Sequence, residues 1–175
     1  MKLTPVMEKY ILHWGEMGTR WGVNRTVAQI HALLFLADRP LNAEEITETL
    51  SVARSNVSTS IKELQSWGLI KTVPQMGDRR DHFATMRDPW ELFHIILEGR
   101  KRRELDPTMS VLRECVLECE DDKETPKEVK ARIKDVLAFM ETLDTWHNQI
   151  KVLPKSTLLK LIRLGAKVQN FIGRK

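Results

Sequence analysis

Apolar residues recur along most of this chain at the three- and four-residue spacing of amphipathic helices. The first such stretch, residues 5–22, carries one apolar stripe of Val6, Tyr10, Trp14, Met17 and Trp21. A second stretch, residues 26–37, is apolar on nearly every side, so we expect a buried helix. Arg39-Pro40 ends it, because the residue before a proline is pushed out of helical geometry.

Two further helices are predicted next, and the first of them, which Asn42 opens, is short. Asn42 and Glu45 have the spacing of a capping box, in which each side chain accepts a hydrogen bond from the other residue's backbone N–H. Counted from the helix over 26–37, a third helix follows over residues 54–67, with Val57, Ile61 and Leu64 on its inward side. Gly68 stands where a left-handed residue commonly ends a helix.

The pattern then changes from helical to strand-like. Residues 69–73 and 82–86 are short and rich in branched or aromatic side chains, while residues 74–81 between them are polar and contain Gly and Pro. This pattern predicts a two-stranded β-hairpin with a charged tip. Three helices followed by such a hairpin indicate a mainly α-helical protein containing a winged helix-turn-helix over residues 23–87.

Helical patterns resume after the hairpin. Asp88-Pro89 marks a helix start, and Asp106-Pro107 predicts a kink or break in that helix. Thr125-Pro126 opens another helix, whose apolar positions from Val129 onward approach heptad spacing, as suits packing against a helix of the same chain or of a partner. Pro154 precedes a last amphipathic helix.

The outward face of the third helix carries the candidate chemistry. With the apolar residues inward, helical geometry turns short hydrogen-bonding side chains and two cations outward, with no carboxylate on the helix before Glu63. Such a surface suits DNA base edges and phosphates, whereas a merely solvated face more commonly carries Glu–Lys pairs. Arg79 and Arg80, in the predicted wing tip, are expected to contact backbone phosphate or the minor groove. The candidate DNA-binding residues are Arg54, Ser55, Asn56, Ser58, Thr59, Lys62, Arg79 and Arg80.

Composition narrows the class of protein. A formal net charge of +4 permits nucleic-acid binding without requiring it. The longest apolar runs are too short to cross a bilayer and no secretory signal is present, so we expect a cytoplasmic protein that does not bind membranes. We find no spacing typical of metal ligands, no glycine-rich phosphate loop and no nucleophile elbow, so the sequence predicts neither an enzyme nor a cofactor or metal site.

Several connected segments together resemble the GbsR-like branch of the MarR superfamily of transcriptional regulators. They are Trp21–Arg25, Ala28–Leu36, Arg39–Ile46, Val52–Ser60, Glu63–Ile70 and Gly77–Asp81. The resemblance implies a dimeric transcription factor, usually a repressor, in which residues 1–22 and 88–175 form the dimer and the helix over 54–67 reads DNA. A departure from the pattern is Ala53, where related sequences often have Ser, a good N-cap; either Ser51 starts the helix earlier or the helix start is looser until DNA orders it.

Three further features each have two interpretations. Cys115 and Cys119, four residues apart on one helical face, suit either a redox or metal switch or simple packing, and we favour packing because acidic neighbours oppose thiolate formation. Trp14, Trp90 and Trp146 form either an aromatic cage for a quaternary ammonium effector or parts of the core, and we favour the core. The tail over 151–175 has basic residues and no acidic ones; it can reach DNA phosphate, a membrane surface or the acidic stretch over 118–124, and pairing or solvation is our default expectation.

The sequence therefore predicts a dimer that binds a pseudo-palindromic operator in double-stranded DNA, with an unidentified small-molecule effector as a further possibility. The rival interpretation is a winged helix used for protein–protein assembly without DNA affinity.

Overall fold

A computed structural model describes the backbone of residues 1–172 and the side chains of residues 1–164. The chain divides into two compact units, Met1–Leu97 and Glu98–Lys175. The helices are α1 Pro5–Arg20, α2 Arg25–Leu36, α3 Ala43–Leu50, α4 Arg54–Ser66, α5 Pro89–Arg100, α6 Asp106–Asp121, α7 Lys127–Lys151 and α8 Lys155–Ile172. The strands are β1 Leu41–Asn42, β2 Ile70–Gln75 and β3 Asp78–Thr85.

In the first unit α1 packs closely against α2. Gly18 is buried, and a Cβ added to it would lie 2.5 Å from the Cβ of Ala28, so only glycine permits this approach. The residues that α1 buries are Ile11, Gly15 and Gly18. The expected stripe of large apolar residues is thus wrong at its two ends, because Val6 and Trp21 are 78% and 53% exposed.

The helix-turn-helix has the predicted local signals. Asn42 and Glu45 form the capping box at the start of α3, and Gly68 adopts a left-handed conformation with φ 72° just after α4. Helix α4 ends at Ser66, one residue before the predicted end at 67, and Trp67 is its C-cap. The largest fully buried side chains all lie in this unit and form one core: Ile30, Leu33, Leu41, Ile46, Val57 and Leu64.

The sheet differs from the expected two-stranded wing. It has three antiparallel strands in the order β1-β3-β2, and the unpredicted β1 pairs Leu41 with Phe83. The expected polar loop over 74–81 is also wrong, since β2 and β3 continue until only Met76-Gly77 separates them and Gly77 turns with φ 83°. Pro74 lies in β2, an edge strand, at the point where the register shifts between Val73 and Gln75; edges and bulges are the positions at which a sheet tolerates a residue without an N–H.

In the second unit a π-helical turn, Lys101–Leu105, lies between α5 and α6, where the sequence predicts a break at Asp106-Pro107. Lys101 holds this turn in place, because its Nζ lies 2.6 Å from an Asp106 oxygen and 2.9 Å from an Asp144 oxygen on α7. Lys130 of α7 also donates to the Cys119 carbonyl at 2.7 Å. These bonds and the ion pair between Arg113 and Glu141 join α6 to α7.

The second unit buries few large apolar side chains among residues 98–164. Met109 and Leu158 are buried. Many others are at least 39% exposed, namely Val111, Leu117, Val136, Phe139, Leu143, Trp146, Val152, Leu161, Ile162 and Leu164. None of the helices over the described residues is long and apolar enough to cross a membrane. Within the basic tail, the side chain of Lys167 and both Arg174 and Lys175 lie outside the described residues.

Candidate nucleic-acid interface

Helix α4 presents its polar side chains to solvent. Val57, Ile61 and Leu64 are at most 5% exposed and attach the helix to the core. The predicted residues of the opposite side all occupy exposed positions: Arg54, Ser55, Asn56, Ser58, Thr59 and Lys62. Ser60, which the sequence analysis did not assign to either side, is 4% exposed and lies with the buried set. The helix therefore displays short donors and acceptors with a cation near each end.

A groove of about 320 Å³ runs between α3, α4 and β3. It brings together four of the eight candidates, because Arg54, Ser58 and Lys62, one turn apart along α4, and Arg80 of β3 all line it. The other four, Ser55, Asn56, Thr59 and Arg79, are exposed but do not line it. The groove is thus a cationic cleft beside the polar face of α4.

Two carboxylates line this groove, Asp81 of β3 and Glu44 on the first turn of α3. The Oε1 of Glu44 lies 3.2 Å from Arg54 and its Oε2 lies 2.8 Å from Arg80, so one side chain joins α4 to the wing. Hydrogen bonds from Arg80 and then Arg54 lower the pKa of Glu44 below its ordinary value. The sequence analysis missed this residue because it considered carboxylates along α4 only. The available signal was the capping box, which uses Glu45 and leaves its neighbour Glu44 free to face another element.

Arg80 is held a second time by Asp78 on its own strand. The Arg80 Nε lies 3.0 Å from Oδ1 and a terminal nitrogen lies 2.6 Å from Oδ2, while the Arg80 backbone N–H also donates to Oδ1. These side-chain and backbone bonds lower the pKa of Asp78 and raise that of Arg80. Arg79 lies in the irregular part of the ladder, where the register shifts between the Val73–His82 and Gln75–Asp78 pairs, and it has no ion pair within residues 1–164. The sequence placed both arginines at the wing tip, and this position is wrong. They lie in β3, and the tip is the fully exposed Met76.

The start of α4 lacks a side-chain cap. Ala53 occupies the N-cap position and makes no capping hydrogen bond. The alternative in which Ser51 starts the helix earlier is wrong, because Ser51 ends α3 in a left-handed conformation with φ 53°. The first-turn N–H groups of α4 therefore point to the surface with no side-chain acceptor from the N-cap.

The other candidate sites show no comparable arrangement. Cys115 and Cys119 are half-buried free thiols, and the residues that the structure describes contain no group of His, Cys, Asp and Glu able to hold a metal ion. Trp14 stacks on Tyr10 and meets the edge of Trp21, whereas Trp90 meets Phe93. These ring contacts are those of local packing.

Comparison with known proteins agrees with this geometry. Residues 21–81, which span α2 to the first half of β3, match the model of the MarR family. The HTH-type transcriptional repressor GbsR of Bacillus subtilis is 20% identical over 141 residues, covering 78% of this chain and 77% of GbsR.

A solved structure described as a transcriptional regulator has the same fold. It superposes with a TM-score of 0.69 at 17% identity, covering 84% of this chain and 96% of that one. The family match lies on the helix-turn-helix and the wing, and the similarity to GbsR covers a larger share of the chain. The chain therefore has a winged-helix fold, and it resembles the MarR family over its helix-turn-helix and wing and GbsR over a longer stretch.

Proposed function

We propose that this protein is a sequence-specific transcriptional regulator that binds double-stranded DNA through α4 and the wing. The observation that carries the proposal is the exposed face of α4, where short polar side chains lie between the cations Arg54 and Lys62 beside a groove that also holds Arg80. A helix of this kind fits the major groove, where donors and small polar groups reach base edges without anionic repulsion. The similarity to a protein named as an HTH-type transcriptional repressor supports the same assignment.

The candidate residues divide between two roles. Ser55, Asn56, Ser58 and Thr59 are short enough to approach base edges and give sequence preference. Four cations supply phosphate or minor-groove contacts, which set register and affinity: Arg54, Lys62, Arg79 and Arg80. The uncapped first turn of α4 adds backbone N–H groups suited to a phosphate oxygen.

We further propose that the protein acts as a homodimer, with residues 1–22 and 88–175 contributing the interface. The sequence predicted a near-heptad seam on α7 that includes Val136 and Leu143. These two residues also form a row at three- and four-residue spacing with Phe139 and Trp146, and all four are at least 39% exposed. Rows of this size on monomers commonly mark protein interfaces. A second copy would cover this row and place two α4 helices about 34 Å apart, in successive major grooves of a pseudo-palindromic operator.

The proposed mechanism is repression in the cytoplasm. A dimer that occupies an operator blocks polymerase there. A small-molecule effector, if the cell supplies one, would act by changing the separation of the two α4 helices and so the fit to both half-sites.

Two substitutions test the division of roles on DNA selected from a random pool. Arg79→Ala should weaken binding to every sequence and reduce the slope of log affinity against log salt by roughly 1, because one phosphate contact is lost. Asn56→Ala should instead change which bases are preferred. Arg25→Ala, which removes an exposed cation from the first turn of α2, outside both the proposed dimer segments and the candidate DNA contacts, is the matched control and should leave both properties unchanged.

The same titrations separate DNA binding from its rival. A winged helix used only for protein assembly would show no salt-dependent DNA affinity in the wild-type protein. If Arg79→Ala and Asn56→Ala both bound as the wild type does, the assigned contacts would be wrong even though the protein binds DNA.

A further inference from the structure

One carboxylate forms ion pairs with both guanidinium groups that line the groove beside α4. Glu44 uses Oε1 for Arg54, at 3.2 Å, and Oε2 for Arg80, at 2.8 Å, so neither oxygen is spare. A phosphate group also presents two oxygens to arginines in this manner. We propose that Glu44 is an internal competitor for DNA phosphate, which lowers the affinity of this protein for DNA of every sequence. This inference rests on the proposed DNA-binding function.

The position of Glu44 makes competition, rather than passive packing, the expected outcome. Its side chain is 48% exposed, and those of Arg54 and Arg80 are 58% and 54% exposed, so the three groups meet at the surface rather than in the core. Exposed ion pairs contribute little to folding stability. DNA phosphates that approach α4 and the wing therefore meet a fixed negative charge between the two arginines.

The two arginines are not equivalent in this competition. Arg80 keeps Asp78 as a second partner, so loss of Glu44 leaves its guanidinium oriented by three bonds to that carboxylate. Arg54 has Glu44 as its ion-pair partner in the described part of the chain and gains full freedom when Glu44 is neutralised. We therefore expect most of the change to come through Arg54, with wing geometry preserved.

The competition concerns phosphates and so should not depend on sequence. Glu44→Gln removes the charge and keeps the length of the side chain. It should raise affinity about tenfold at ~50 mM KCl, equally for the selected operator and for an unrelated duplex. The slope of log affinity against log salt should become steeper by roughly 1, because a cation is no longer neutralised within the protein.

Glu48→Gln is the matched control. Glu48 is an exposed carboxylate of the same helix and forms no ion pair within residues 1–164, so its removal changes the same formal charge without releasing an arginine. Glu44→Asp keeps the charge on a shorter stem and should give an intermediate affinity. Thermal unfolding of each variant confirms that the fold is retained.

A double-variant cycle identifies the route. In an Arg54→Gln background, Glu44→Gln should raise affinity no more than Glu48→Gln does, because the released partner is absent.

The outcomes separate this inference from the proposed function. Suppose that wild-type binding is salt-dependent but Glu44→Gln binds DNA only as tightly as Glu48→Gln, or more weakly than wild type. Either result would overturn the competition and leave DNA binding standing. The weaker binding would make Glu44 a positioning residue. Absence of salt-dependent binding in wild type and Glu44→Gln alike would overturn both.

Discussion

The two units of this protein differ in how completely a single chain buries their large apolar side chains. The first unit closes a core around Leu33 and five other fully buried side chains drawn from α2, α3, α4 and β1. The second unit, over its described residues, leaves Phe139 and Trp146 each 61% exposed on one face of α7. A winged helix is therefore complete as a monomer, whereas the helices of the second unit present the kind of surface that another chain covers.

This difference also separates what each unit does in the proposed mechanism. The rigid core of the first unit fixes α4 and the groove, so that function there depends on individual surface side chains. In the second unit, function depends on association. The following experiments test whether the two units respond as differently as their burial indicates.

The largest effect is expected in the core of the first unit. Leu33→Ala should lower the free energy of unfolding by about 3 kcal/mol, since it removes a fully buried side chain and leaves a cavity. Leu117→Ala, at a position 65% exposed in α6, should change it by less than about 0.5 kcal/mol in dilute monomer. Chemical denaturation of both variants makes the comparison. Equal losses would show that the second unit has a core of its own.

The pH dependence of the first unit should follow His31. Burial lowers the pKa of this histidine from 6.5 to about 4, and its Nε2 lies 3.2 Å from the Thr85 hydroxyl, which itself donates to the Leu69 carbonyl. The folded pKa is depressed, so protonation favours the unfolded chain: stability is complete above pH 6.5 and falls as the pH drops toward 4, by about 3 kcal/mol at pH 4.

His31→Gln isolates this contribution, because glutamine does not titrate and keeps a donor for Thr85. The difference in unfolding free energy between wild type and His31→Gln should decline between pH 6.5 and 4. A constant difference over that range would mean that His31 accepts its proton without cost to the fold.

The next effect concerns association through α7. Trp146→Ala should raise the dimer dissociation constant about 30-fold, as expected for an aromatic residue worth about 2 kcal/mol in an interface. Met76→Ala, which removes a fully exposed apolar side chain from the wing tip, is the control. Sedimentation equilibrium over a concentration series measures both. A wild-type chain that stays monomeric, or a Trp146→Ala chain that associates like Met76→Ala, would remove the basis of the comparison.

The smallest effect concerns the two helices of the helix-turn-helix. Asn42 caps α3 in a complete capping box, whereas Ala53 gives α4 no side-chain cap. Ala53→Ser should therefore raise the free energy of unfolding by about 0.5–1 kcal/mol, seen as a higher midpoint of thermal unfolding. Asn42→Ala should lower it by at least as much. No gain from Ala53→Ser would indicate that water already satisfies the first turn of α4.

Local signals in the sequence were sufficient for much of the first unit. The capping box at Asn42, the helix end at Gly68 and the inward row of α4 depend on residues within a few positions of one another, and the structure has all three. Strand β1 was not predictable in this way, because two residues become a strand only through pairing with β3 some forty positions later. The extent of the hairpin was missed because Asp78 pairs with Gln75 through backbone groups, whatever its side chain.

The candidate site was predictable to a similar degree. Periodicity placed the polar face of α4 outward, but it gave no information on Glu44, which reaches the groove from another helix. The buried face of α1 was missed because Gly15 and Gly18 achieve close contact by lacking side chains, and an apolar pattern counts only large residues. Whether the eight candidates contact DNA stays a prediction.

The edges of the small sheet bear on how the protein behaves at high concentration. One edge is β1, which is two residues long, and the other is β2, which contains Pro74. Neither offers a long row of free N–H groups to a strand from another molecule. Aggregation by edge-to-edge strand addition is thus disfavoured in the unit that we propose binds DNA, and we expect Pro74→Thr to favour fibrillar or insoluble material.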